Sequence, residues 1–171
     1  MKRVTVLVTF LALFFLGFNA NAQSKIKLAH LNSPELMKVM PGVDTAQKII
    51  QDFAKQLEEE QKAMYAEYEK KAVDFRDLQP TMSQSMQQVK LKELQDLENR
   101  IKMFEENAQL DLQDRQEQLL KPIYDRAKTA IEEVAKENGY NYVFDSGYGV
   151  LLYSDESDDI LNLVKKKLGI K

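Results

Sequence analysis

Between Asp44 and Leu78 the chain carries neither Gly nor Pro, and apolar side chains return at seven-residue intervals. One position of the repeat reads Ile50, Leu57, Met64, Lys71, Leu78, and its companion reads Ala54, Gln61, Tyr68, Phe75. That spacing predicts a coiled-coil helix whose seam is interrupted by polar side chains. Gln79-Pro80-Thr81 breaks the run. A second run without Gly or Pro goes from about Ser83 to Lys121, with Leu94, Leu97, Ile101, Phe104, Ala108 and Leu112 on its seam. Helices of this extent are about 50–60 Å long, against roughly a dozen residues for an average globular helix. The break falls near the middle, so the two runs predict an antiparallel helical hairpin. Such a hairpin cannot fold back into a compact core and must project as an arm.

The flanks follow other periods. Ile26, Leu28 and His30 alternate with Lys27 and Ala29, the two-residue period of a strand over Lys25 to Leu31. Ser33-Pro34 opens a short helix to Met40, with Pro in its first turn, and Pro41-Gly42 ends it. After Pro122 the apolar stripe widens to Ile123, Ala127, Ala130, Ile131 and Val134, the pattern of a helix lying on a core. Pro122 therefore marks where the arm meets that core, as a kink. Asn138-Gly139 closes this helix. Tyr140–Phe144 and Val150–Tyr153 read as two strands joined by the loop Asp145-Ser146-Gly147-Tyr148-Gly149. Asp158 or Asp159 caps a last helix, Ile160 to Leu168, whose three terminal Lys suit its dipole. The fold class is α+β: a small β-sheet body built from both termini, with a long helical hairpin inserted. Three short strands make a poor isolated sheet, and a symmetric oligomer that shares strands would complete it.

The N-terminus is of another kind. Lys2 and Arg3 precede an uncharged apolar run, Val4 to Phe18, and Asn19-Ala20-Asn21-Ala22 supplies small residues before a cut after Ala22. This is the pattern of a secretory signal peptide, and the run falls short of the roughly 20 residues a membrane span needs. The absence of Cys excludes a lipidated N-terminus, disulfides and thiol chemistry. The expected segments are thus a leader over 1–22, a body over 23–43 and 122–171, and an arm over 44–121, in an exported chain. Removing Lys2 and Arg3 takes the net charge from −3 to −5, which argues against nucleic acid as a partner.

The search for chemistry returns little. His30 is the single histidine, and without Cys it builds no zinc site. No phosphate-binding Gly loop or nucleophile elbow is present, so neither catalytic residues nor cofactors are expected and ATP is not spent. Asp155-Glu156-Ser157-Asp158-Asp159 lacks the ligand spacing of a calcium loop and reads as a solvated turn and cap. No metal site is expected. Apolar side chains on the arm stand out instead. Met82 and Met86 lie at the tip, Met103 and Tyr65 fall beside the seam, and Phe75 and Phe104 lie on it. Flexible Met suits a surface that accepts many shapes. These six are the candidate binding residues.

At this point the chain resembles the Skp (OmpH) family of periplasmic chaperones. The resemblance rests on Leu120-Lys121-Pro122-Ile123-Tyr124, Ala130-Ile131-Glu132-Glu133-Val134-Ala135 and Gly139-Tyr140-Asn141-Tyr142-Val143-Phe144-Asp145. Val150-Leu151-Leu152-Tyr153 is similar to the family's next strand. Asp158-Asp159-Ile160 is similar to its helix cap, with Leu161 where Thr is usual. Ile26 to Asn32, followed by Met40-Pro41-Gly42, resembles its opening strand, short helix and turn. The resemblance implies a homotrimer with a β-barrel body, from which three coiled-coil arms hang around a cavity. Unfolded outer-membrane β-barrel proteins would be held there in the periplasm, without ATP. It supplies no catalytic residue. The best-known members have cationic arms, whereas here residues 44–121 hold more acid than base, so charge steering toward acidic clients or lipid is not expected and a peripheral membrane contact stays open. The competing reading is a structural or adaptor coiled coil of the cell envelope that binds one defined partner.

Overall fold

The computed structural model describes residues 26–170. The expected leader over 1–22 and its cut lie outside them. The described chain is mostly helical, with one small sheet. Strand β1 (Leu28–Leu31) leads to helix α1 (Ser33–Val39) and then to α2 (Val43–Leu78). A short 3-10 turn, Gln79–Thr81, connects to α3 (Gln84–Asn138). Strand β2 (Tyr142–Asp145), a second 3-10 turn at Glu156–Asp158 and helix α4 (Leu161–Lys167) complete the order.

Local chemistry sets the helix boundaries. Asn32 Oδ1 accepts from the Glu35 amide at 3.0 Å and opens α1. Gly42, at φ 96°, makes the turn into α2 in a conformation that favours Gly. Ser83 caps α3 through the Met86 amide, and Gly139, at φ 70°, closes it. The N-cap of α4 is Ile160, without a side-chain cap, and neither Asp158 nor Asp159 takes the expected cap position; Asp159 Oδ1 accepts from the Leu161 amide at 2.8 Å from just before the cap. By their 36 and 55 residues, α2 and α3 are about 54 and 83 Å long. Pro122 lies inside α3, which continues past it for four more turns to Asn138. The arm and the core-packing stripe are therefore carried by one unbroken helix.

The core gathers both ends of the chain. Ala29, Leu31, Leu36, Met40 and Val43 pack with Ala127, Ala130 and Val134 of α3 and with Ile160, Leu161 and Val164. Strands β1 and β2 pair in parallel, Leu28 opposite Tyr142 and Leu31 opposite Asp145. Two sequence expectations change here. First, the strand alternation has the opposite sense. Ala29 and Leu31 face the core, while Ile26 and Leu28 are exposed and only His30 of their set is buried, because the adjoining helices pack on the Ala29 and Leu31 face. Second, Val150–Tyr153 is not a strand and makes no hairpin with β2. The turn after β2 brings the Ser146 amide back to the Leu31 carbonyl at 2.9 Å, and the chain then runs on with Val150, Leu152 and Tyr153 in solvent. A strand forms only where its backbone reaches a neighbour in register, and among the described residues this segment pairs with neither β1 nor the outer edge of β2, which stays open.

Candidate functional site

The two long helices touch at several points along the arm. Lys71, Phe75 and Leu78 meet Lys90, Glu93 and Leu94 near the turn. Further down, Gln61 Nε2 and the Tyr65 hydroxyl both donate to Glu105 Oε1, at 2.7 and 2.8 Å. Below that, Ala54 and Leu57 face Ala108 and Leu112. Every seam position read from the sequence between Ile50 and Phe75 is partly covered. In this arm only Leu97 and Ile101 are buried beyond Ala46, because one helix cannot cover another on all sides.

The six candidate residues separate into two environments. Phe75 and Met82 are half-buried and line a cleft of about 250 Å³ near the turn. Phe104 is half-buried in a notch of about 450 Å³, opened by the small side chains Ala54 and Ala108 on the seam. Tyr65, Met86 and Met103 are exposed, Met103 to 61%. The six do not converge on one point. They are spread along the arm, as suits a diffuse contact surface and not a catalytic constellation. The hydrogen bond to Glu105 raises the Tyr65 hydroxyl above its ordinary pKa, so that group stays a neutral donor. Glu58 is held below the usual carboxylate range, first by its hydrogen bond and then by its charge interaction with Lys62.

Other features escape sequence reading. Val73, Val89, Leu91 and Leu110 are also exposed apolar side chains of the arm, and only their positions off the seam mark them. On the body, a groove of about 790 Å³ lies between α1, α3 and β2, with Tyr124, Tyr140, Tyr142 and Tyr148 among its walls. Tyr142 and Phe144 stack on the open face of the sheet, 6.4 Å between ring centres. Their aromatic run is visible in the sequence, but the groove is built from segments far apart in it. His30 takes a structural place. Its Nε2 donates to the Asp155 carbonyl at 3.0 Å and its Nδ1 is buried without a partner. Among the described residues no group of three or more His, Asp or Glu side chains is placed to hold a metal, and no helix is long and apolar enough to cross a membrane.

Comparison with known proteins places these features in context. Residues 27–168 match the family model described as Outer membrane protein (OmpH-like). A crystal structure of an OmpH-like protein from Caulobacter crescentus CB15 superposes with a TM-score of 0.70 at 15% identity. The match covers 84% of this chain and 83% of that one. No curated protein matches the sequence.

Proposed function

The chain belongs to the OmpH-like family, and from that membership we propose that it is an ATP-independent periplasmic holdase for unfolded outer-membrane β-barrel proteins. In this reading residues 1–22 are a signal peptide removed after Ala22. Residues 23–43 and 122–171 form the body, and 44–121 form an antiparallel coiled-coil arm. Three chains join through their bodies, and their arms enclose the client. Tyr65, Phe75, Met82, Met86, Met103 and Phe104 contribute to the client surface. No step is enzymatic. A client leaves when an insertion partner binds it more tightly.

The observation that carries the reading is the incomplete seam. An arm of this length leaves its Met and aromatic side chains half-buried or exposed along its sides, a surface that a solvated helix pair would not ordinarily keep. Many weak apolar contacts spread over such a surface would hold a chain without fixing its fold. The test dilutes a urea-unfolded outer-membrane β-barrel protein into the purified protein without ATP and records light scattering. Scattering is expected to fall to baseline at about one oligomer per client, the stoichiometry of an enclosed client. Unchanged scattering with a folded, oligomeric protein rejects the holdase and favours the envelope adaptor.

A further inference from the structure

Side chains three and four apart on a helix share a face. On α3 one such line holds Val89, Lys92, Asp96, Arg100 and Met103, and it continues through Glu106, Leu110, Asp114 and Glu117. All of these residues are exposed. Met103 and Leu110 leave 61% and 59% of their surfaces open, so apolar anchors recur on a face that a solvated helix would make polar. The charge of this face changes at Met103. Lys92 and Arg100 outnumber Asp96 toward the tip, whereas toward the body Glu106, Asp114 and Glu117 accompany Leu110 before Lys121, which is paired with Asp125.

The same polarity runs through the whole arm. Residues 44–60 and 104–121, the shaft, carry ten carboxylates against four Lys and Arg, while residues 61–103 carry seven against eight. Two of the four shaft cations already face acids, Lys55 at 3.7 Å from Glu59 and Lys121 at 2.6 Å from Asp125. The notch between Ala54 and Ala108 lies in this half, and because the carboxylates in its walls are engaged, Glu58 with Lys62 and Glu105 with Gln61 and Tyr65, the carboxylates left open are those of the outer face, Glu106, Asp114 and Glu117.

We infer that the shaft docks apolar client segments that carry lysine or arginine, its carboxylates pairing with their charge while Met103, Leu110 and the notch receive their apolar side chains. The inference rests on the holdase reading and names the chemistry of what is held. Lys and Arg suit such a surface doubly, since their methylene stems cover apolar area while their heads reach a carboxylate.

The test uses the protein as the cell processes it, and two fluorescent peptides with identical Leu and Phe positions. One is spaced by Lys and Ser, the other by Asp and Ser. Anisotropy at low salt is expected to show about tenfold tighter binding of the Lys peptide, and about 0.5 M NaCl should erase most of the difference. The variant Glu106→Gln/Asp114→Asn/Glu117→Gln should lose most of the preference with unchanged helix content. Met103→Ser with Leu110→Ser should weaken both peptides. Equal affinity for the two peptides, or preference for the acidic one, overturns the charge selection and leaves the holdase reading standing. Binding of neither peptide by a folded protein overturns both.

Discussion

Asp145 sits where the end of β2 meets the start of α1. Its carboxylate accepts from the Ser33 amide at 3.2 Å, from the Gly147 amide at 2.8 Å and from the Ser33 hydroxyl. Partial burial pushes its pKa up, but the hydrogen bonds from Ser33 and Gly147 prevail and hold it below the ordinary Asp value. As pH falls, the unfolded chain therefore takes up the proton first. The resulting stabilisation is complete above the ordinary Asp pKa of about 4 and is lost as pH drops through the lower folded value. Thermal unfolding between about pH 5 and pH 2 should show the wild type losing more stability than Asp145→Asn. At neutral pH the variant should already be weaker by about 1–3 kcal/mol. Parallel curves for the two proteins would mean that Asp145 is not the responsible group. The local sequence shows only its bond to Gly147 two residues on, since its other partner, Ser33, lies 112 positions away. Gly147 belongs to the same arrangement. A Cβ there would overlap the Pro34 ring and come within 2.8 Å of Asn32 Oδ1, a constraint that only the folded approach of the two segments creates. His30 is more legible, because a lone histidine in a strand has few roles open to it.

At the scale of elements, the heptad decides what is covered. Leu97 is 1% exposed and Met103 is 61% exposed on the same helix. Leu97→Ala should lower the unfolding stability of the arm by about 2–5 kcal/mol, whereas Met103→Ala should change it by less than about 0.5 kcal/mol. Helix content followed through thermal unfolding checks both, and similar losses in the two variants would mean that Met103 is covered by more than its own chain. The long helices and their break are legible because their seven-residue period is local and repeated over many turns. The continuation of α3 past Pro122 to Asn138 agrees with the sequence reading, since a proline read as a kink removes one backbone hydrogen bond without ending the helix. The strand reading of Val150–Tyr153 fails. β-propensity describes a fit to neighbouring strands, and among the described residues this segment pairs with none, although β2 keeps an open edge. The sense of alternation in β1 fails because residue size does not say which face the helices will cover.

For the whole molecule, the open features of the body belong together. Val150, Leu152 and Tyr153 stand in solvent, while β2 has β1 as its only strand neighbour among the described residues. In the proposed trimer these apolar side chains are covered by a second copy. Leu152→Ser with Tyr153→Ser should then reduce the oligomer to monomers with the arm helices intact, as read by mass in multi-angle light scattering. An unchanged mass would exclude this segment from the interface. The α+β class and the inserted helical pair are legible because both ends of the chain carry short-period patterns while its middle carries one long pattern. The diffuse candidate surface is only partly so, since exposure depends on what lies opposite. The parallel pairing of β1 with β2 also has a temporal consequence. Lys27 bonds to Asn141 across 114 positions, and contacts so distant form late, whereas helices form locally and fast. A chain made from its N-terminus therefore carries β1 as an orphan edge through nearly all of its synthesis. The first element of the described chain is thus the last to be secured, and the stretch from Tyr142 onward decides whether it ever is.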